Sequence, residues 1–176
     1  VTNNTVRASI DTSGNVGIGT TSPSTQLEVS NSASAVLRLS TSDTSVADNQ
    51  ELGALEYYQA DSSGAGAGVK ASIRAKADNS TAAQTYLTLH TSDSSNNDVE
   101  RVRIDSSGLV GIGTSSPAST LEISKSDQTN GATLSITNSF DGAGWDSGDT
   151  VGTINFRVDD GSTTQPIRGQ IKLFDD

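Results

Sequence analysis

The stretch IDSSGLVGIGTSSP, residues 104–117, occurs a second time, almost unchanged, as IDTSGNVGIGTTSP, residues 10–23. Of the 14 paired positions 11 are identical, and the two copies lie 94 residues apart. A long motif in duplicate is either a binding or catalytic loop used twice or a structural joint in a repeating chain. The rest of the sequence favours the joint.

The motif predicts a β-hairpin followed by a bend. In the second copy, residues 105–108 are typical of a turn, because Asp accepts local backbone N–H groups and Gly adopts positive φ. Residues 109–113 read as a strand with Val and Ile on one face and two glycines on the other, which indicates close approach of backbones around a symmetry axis. The proline at 117 forces an extended exit towards a new strand. The predicted joint residues are Gly14, Val16, Gly17, Ile18, Gly19, Pro23, Gly108, Val110, Gly111, Ile112, Gly113 and Pro117.

The two motifs belong to a larger internal repeat. Three further pairs of segments align: 37–40 with 134–137, 51–61 with 150–160, and 71–74 with 169–172, at offsets of 97, 99 and 98 residues. Because the spacing is nearly constant, we predict one full unit and most of a second. These are 1–99, with a joint motif at 6–30 and a β module at 33–98, and 100–176, with a joint motif at 101–124 and a β module at 132–176.

Outside the motif, apolar residues alternate with polar ones, which is typical of half-buried β-strands. The alternating residues are those of 69–77 and the sets Leu55/Tyr57, Leu87/Leu89, Val102/Ile104, Leu121/Ile123, Leu134/Ile136 and Ile154/Phe156/Val158. Turn-forming clusters separate them at 61–68, 90–98 and 139–149. Only residues 45–52 have the pattern of a short helix. The sequence therefore predicts an all-β protein.

Large apolar side chains are scarce in this chain. Only 32% of the residues are apolar and 4% are aromatic, with no Cys and no Met. Burying one large apolar side chain contributes about 1.5–3 kcal/mol, whereas fixing one backbone residue costs about 1–2 kcal/mol. A monomer of this composition would have a thin core, yet the patterned apolar residues argue against disorder. We therefore expect burial between chains, in an obligate oligomer.

The charge balance limits the partners. The net charge is −10 and the isoelectric point is about 4.3. We expect no nucleic-acid partner, because phosphate binding needs clustered Lys and Arg. No run of about 20 apolar residues occurs, so we expect no membrane insertion. The first residue is Val rather than Met, which is consistent with a processed or excised piece.

Residues 103–124, RIDSSGLVGIGTSSPASTLEIS, and their copy at 8–30, ASIDTSGNVGIGTTSPSTQLEVS, resemble the repeat of tail and head fibre proteins of bacteriophages, especially marine and cyanobacterial ones. The segment 51–78 resembles the module that commonly follows it, so the likeness covers nearly the whole chain. The resemblance implies an elongated tandem β-repeat fibre shaft, an intertwined parallel homotrimer of small β-sandwich or β-prism modules. It further implies a virion location, in an extracellular surface appendage for host attachment.

The implied partners are adjoining fibre, tail or capsid subunits and a host surface glycan or protein. Bacterial surface proteins carry similar joints, so a bacterial extracellular filament or adhesin repeat is the first alternative. The second is a tailspike-type polysaccharide depolymerase, which needs paired carboxylates in a groove. Since the carboxylates here are scattered through turns, we predict a structural protein with no catalytic residue and no cofactor.

Several residues invite a chemical interpretation, and for each we favour a structural one. The GIG segments lack the Lys of a phosphate-binding loop, and the aspartates of the two motifs suit turn capping better than calcium. The loop containing Asp141, Asp146 and Asp149 is the better metal candidate, although we predict no metal site. His90, the one histidine, is expected to be a solvated or capping residue in a polar turn.

The aromatic residues and two arginines complete the set of candidates. Trp145 lies in the loop DGAGWDSGD, where a packing plug between subunits or against the next strand is favoured over a glycan contact. Tyr57, Tyr58 and Phe156 are expected in the core, on strands. The arginines that precede the matched strands, Arg7 and Arg101, are expected to pair with acidic neighbours.

Overall fold

A computed structural model describes residues 7–64, 66–79, 83–126, 129–137, 150–157 and 167–174. The chain divides into two compact units, Val1–Glu122 and Ile123–Asp176. The strands are β1 (Ala8–Ile10), β2 (Val16–Ile18), β3 (Leu27–Val29), β4 (Glu51–Gln59), β5 (Gly68–Ala77), β6 (Thr85–Ser92), β7 (Asp98–Ile104), β8 (Val110–Ile112), β9 (Leu121–Ile123), β10 (Thr150–Arg157) and β11 (Ile167–Phe174).

These strands form three sheets. The order of the first is β1-β2-β3, that of the second is β4-β5-β6-β7-β8-β9, and that of the third is β10-β11. Strands β4 to β8 pair antiparallel with their sequence neighbours, whereas β3 pairs parallel to β2. The all-β prediction is therefore confirmed, since the described residues contain strands and no helix.

The helix predicted at 45–52 is wrong. Residues 48–49 form a turn and β4 begins at Glu51. Asn49 has a φ of +62°, which ends any right-handed helix, and its N–H donates to the carbonyl of Ala77 at 2.9 Å. A long-range backbone contact therefore overrides the local helical pattern.

The internal repeat is reproduced in the backbone pairing. Leu55 pairs with Ile73 in the β4–β5 hairpin, and the aligned Ile154 pairs with Ile171 in the β10–β11 hairpin. The register irregularities also match: they fall between Glu51 and Gly53 and between Tyr57 and Tyr58 in one hairpin, and between Thr150 and Gly152 and between Phe156 and Arg157 in the other. Because bulges fix the register of a strand pair, the two hairpins share one pairing scheme.

Two aligned segments are not strands. The alternating pair Leu134/Ile136 lies in irregular backbone, so the predicted strand there is wrong, and the aligned segment 37–40 is irregular as well. Alternation marks a potential strand, but a strand needs a paired ladder, and neither segment has one among the described residues. Leu39 instead packs on β4, where a Cβ added to Gly53 would lie 3.2 Å from the Leu39 Cβ.

The joint is continuous with the module that precedes it. The predicted boundary between the repeat units, at residues 99–100, lies inside β7, which pairs along its length with β6. The first compact unit holds the first joint motif, together with the second joint motif and the six-stranded sheet as far as Glu122 in β9.

The core is as thin as the composition predicts. Apart from two prolines, the buried apolar side chains in the described part of the chain are Ala77 and Tyr86. Ser72, Thr88 and His90 are buried beside them.

Candidate functional site

Each joint begins with a hairpin turn closed by an aspartate. Asp11 Oδ1 accepts the N–H groups of Ser13 and Asn15 at 2.8 and 2.9 Å, and Asp105 Oδ1 accepts the equivalent two at 2.9 and 2.8 Å. The glycine three residues after each aspartate has a φ of +85° or +80°. The N–H of Asn15, followed by other local hydrogen bonds, lowers the pKa of Asp11. The aspartates thus serve as turn caps.

A third copy of this turn joins β6 to β7, inside the predicted turn cluster 90–98, although the sequence analysis did not identify it as a copy. Asp93 Oδ1 accepts the N–H groups of Ser95 and Asn97, both at 2.9 Å, and the amide group of Asn97 donates to Asp93 Oδ2 at 2.9 Å. Asn96 takes the glycine position with a φ of +64°. The signal was present as DSSNN, because Asn is the residue that best replaces Gly in left-handed conformation.

The middle glycine of each VGI strand packs against its own chain. A Cβ added to Gly17 would lie 2.5 Å from the carbonyl oxygen of Thr20, and one added to Gly111 would lie 2.5 Å from that of Thr114. The hydroxyl of Ser9 donates to the Thr20 carbonyl at 2.9 Å. The space at these two glycines is therefore closed by the chain's own backbone, and the predicted approach of backbones around a symmetry axis stays a prediction.

The last glycine of the motif turns the backbone out of the strand. Gly19 and Gly113 have φ values of +78° and +74°. Their N–H groups donate to the carbonyls of Arg7 and Arg101 at 2.9 and 3.0 Å. A Cβ on Gly19 would lie 2.1 Å from the Ser30 carbonyl oxygen, so a side chain is excluded there by both conformation and space.

The exit from the motif is held by the same hydrogen bonds in both copies. Glu28 Oε2 accepts the N–H of Ser24, and Glu122 Oε2 accepts the N–H of Ala118, each at 2.8 Å. The Ser24 N–H, followed by its hydroxyl, lowers the pKa of Glu28. The prolines that precede these bonds, Pro23 and Pro117, are buried. The predicted order of hairpin, bend and new strand is confirmed in both joints.

One face of the six-stranded sheet is polar, and Arg74 lies at its centre. The Arg74 guanidinium contacts Glu51 Oε2 at 2.6 Å and both Glu56 Oε1 and Asp98 Oδ2 at 3.1 Å. Burial opposes the charge of Arg74, but the hydrogen bond to Glu51 and the nearby carboxylates outweigh it and raise the pKa. Three carboxylates from β4 and β7 are thus held by one cation from β5.

The same polar face contains the histidine. His90 lies in β6 and is buried, so its prediction as a solvated turn residue is wrong. Its Nε2 is 3.0 Å from the Thr88 hydroxyl, and its Nδ1 is 3.2 Å from Asp98 Oδ2, a contact without hydrogen-bond alignment. Beside it, the Arg103 guanidinium lies 4.0 Å from the centre of the Tyr86 ring.

The opposite face of this sheet is apolar and exposed. Strand β6 shows the contrast, because Tyr86, Thr88 and His90 are buried while Leu87 and Leu89 are each 42% exposed. Cross-strand pairing extends this face into two rows, Leu55–Ile73–Leu89–Val102–Ile112 and Gly53–Ala75–Leu87–Ile104–Val110. We call these two rows the apolar face.

The remaining candidates are placed as follows. Tyr57 and Tyr58 are 61% and 67% exposed on the edge strand β4, so their prediction as core residues is wrong. Arg101 donates to the Thr91 hydroxyl at 2.9 Å, and its charge contributes to lowering the pKa of Asp93. The side chain of Phe156 lies outside the described residues, as do Val158, the glycan candidate Trp145 and the three aspartates of the proposed metal loop, Asp141, Asp146 and Asp149.

The described ranges contain no group of three or more His, Cys, Asp or Glu residues that could hold a metal ion. They also contain no helix of the length and hydropathy that a membrane span requires. A shallow recess of about 250 Å³ lies on the apolar face and is lined by Leu37, Leu39, Leu52, Gly53, Ala54, Leu55, Ile73, Ala75 and Leu87.

A scan against protein-family models and a search of curated proteins each find no match to this chain.

Proposed function

We propose that the chain is a structural component of a bacteriophage fibre, a shaft segment of a tail or head fibre that supports attachment to the host cell surface, and that it acts as a homotrimer. The observation that carries this proposal is the exposed apolar face. Contiguous apolar patches of this kind mark interaction surfaces in soluble proteins.

The two faces of the sheet differ in whether their side chains have partners within the chain. On the polar face, the charges of Arg74 and Arg103 are already paired within the chain. On the apolar face, Leu55, Leu87 and Leu89 remain 42–45% exposed. Burying a Leu side chain fully contributes about 1.5–3 kcal/mol, so covering this face would stabilise the fold substantially.

Copies of the same chain are suitable occupants of the apolar face. Parallel chains in register bring identical rows together at each level, and the two rows contain no charged residue that would repel its own copy. A closed cyclic arrangement covers every copy of the face and leaves none open. The resemblance to phage fibres supplies the number three, and the matched hairpins support a tandem-repeat shaft.

Light scattering on the purified chain tests the proposal. We expect a mass about three times 18 kDa with a large hydrodynamic radius. The double variant Leu87→Asp/Leu89→Asp should lower the mass to that of one chain, whereas Ser62→Asp, in the exposed loop after β4, should leave it unchanged. A wild-type monomer of 18 kDa would overturn the proposal.

Two further measurements separate the alternatives. New reducing ends released from host capsule polysaccharide would support the depolymerase instead. Neighbouring genes that encode secretion machinery, rather than tail and capsid proteins, would support a bacterial filament or adhesin.

A further inference from the structure

The first strands of the two joints differ in what lies on their outer edges. β7 has β6 on one side and β8 on the other. β1, at the same place in the first motif, pairs with β2 alone among the residues that the structure describes. Among the described strands, one edge is therefore covered in the second joint and open in the first.

The open edge of β1 presents backbone groups that no described strand pairs with. The carbonyl of Arg7 and the N–H of Asp11 bond inward, to Gly19 and Asn15. Hydrogen bonds alternate in direction along an antiparallel strand, so the N–H and C=O groups of Ala8 and Ile10 point away from β2. The equivalent residues of β7, Val102 and Ile104, pair with Leu89 and Leu87 of β6.

The side chains show the same difference. Ile104 in β7 is directly opposite Leu87 and is 42% exposed. The equivalent Ile10 in β1 is 74% exposed. The sequence of β1, Ala-Ser-Ile, also contains neither Lys nor Pro, the residues that commonly protect an edge strand from further pairing.

We propose that the outer edge of β1 is a docking site for one additional antiparallel strand with the chemistry of β6. Such a strand places leucines opposite Ala8 and Ile10, on the apolar side, and a small hydroxyl residue opposite Ser9. In the second joint the residue equivalent to Ser9 is Arg103, which lies over the Tyr86 ring. The strand that docks on β1 therefore needs no aromatic residue at the position of that tyrosine.

A strand graft on the full chain tests this site. A copy of residues 79–97 in place of residues 1–3 keeps the 94-residue spacing and supplies the turn in which Asn96 has positive φ. Amide hydrogen exchange is then measured residue by residue. We expect exchange at Ala8 and Ile10 to slow by about tenfold or more relative to the ungrafted chain.

The matched control is the same graft with proline at the copies of Leu87 and Leu89, since proline cannot donate the ladder hydrogen bonds. It should leave exchange at Ala8 and Ile10 as fast as in the ungrafted chain. Equal exchange with the leucine and proline grafts would overturn the proposal. Loss of protection at Val102 and Ile104 would also overturn it, because the added strand would then be displacing β6 from β7.

Discussion

Glycines in the joint are required for two separate physical reasons. Gly108 has open space around it and is constrained by its φ of +80°, whereas Gly111 has ordinary φ and is constrained by the Thr114 carbonyl. Asn96 occupies the position of Gly108 in the third turn. Asn can therefore adopt the conformation that the Gly108 position requires, whereas any side chain at Gly111 meets the Thr114 carbonyl.

This difference predicts unequal losses in the free energy of unfolding for two substitutions. Gly111→Ala should lower the free energy of unfolding by about 2–3 kcal/mol, because the new Cβ would lie 2.5 Å from a backbone oxygen. Gly108→Asn should lower it by less, about 0.5–1 kcal/mol, because Asn adopts the left-handed conformation at a smaller cost than other residues with a side chain. Urea unfolding of both variants measures the difference, and equal stabilities would contradict the close-approach account.

The turn aspartates predict a pH dependence. Hydrogen bonds from Asn97, first from its side chain and then from its backbone, lower the pKa of Asp93 below its ordinary value of 3.8. Because the folded pKa is the lower one, the stabilisation is present above the unfolded pKa and is lost as pH falls through the folded pKa. Asp93→Asn should therefore flatten the fall in melting temperature below about pH 4. If the melting temperature of the variant falls below about pH 4 as steeply as that of the native chain, this turn does not contribute to the acid sensitivity.

At the scale of elements, three carboxylates of the polar face share one cation, Arg74. Arg74→Met removes the partner of three carboxylates on β4 and β7, and it should destabilise the sheet by about 1–2 kcal/mol, a value reduced by the partial exposure of those carboxylates. Adding Glu51→Gln to Arg74→Met should recover part of the loss, because it removes one of the repelling charges. Chemical denaturation of the two single variants and the double variant measures this coupling.

The elements that the sequence predicts best are those formed by local rules. Alternation over residues 69–77 predicts β5, and Asp-Ser-Gly turns predict the hairpins. The failures involve distant contacts. Asn49 lies in a turn where its N–H bonds to the carbonyl of Ala77, and His90 lies inside β6 because it pairs with Ser72 of β5 and Glu100 of β7. Composition indicated a thin core, but only the cross-strand pairing shows which face carries the exposed leucines.

At the scale of the whole molecule, stability should depend on protein concentration. An assembly held by the apolar face is favoured by mass action, so its melting temperature should rise with concentration. Leu89→Asp, which places a charge in the centre of that face, should abolish the dependence. Differential scanning fluorimetry over a hundredfold range, about 1–100 μM, measures both. A melting temperature independent of concentration in the native chain would mean that the apolar face is not a reversible subunit contact.

The shared pairing scheme of the β4–β5 and β10–β11 hairpins has a consequence for folding. Both hairpins place their bulges at the same two levels, so the backbone of β4 is as compatible with β11 as with β5. Register cannot distinguish a correct partner from its duplicate, and the discrimination falls to proximity along the chain. The β4–β5 connection, residues 60–67, is short, so closing this hairpin costs less chain entropy than pairing β4 with the distant β11, and we expect β4 and β5 to pair first. Lengthening this loop should therefore favour strand exchange between repeats or between chains.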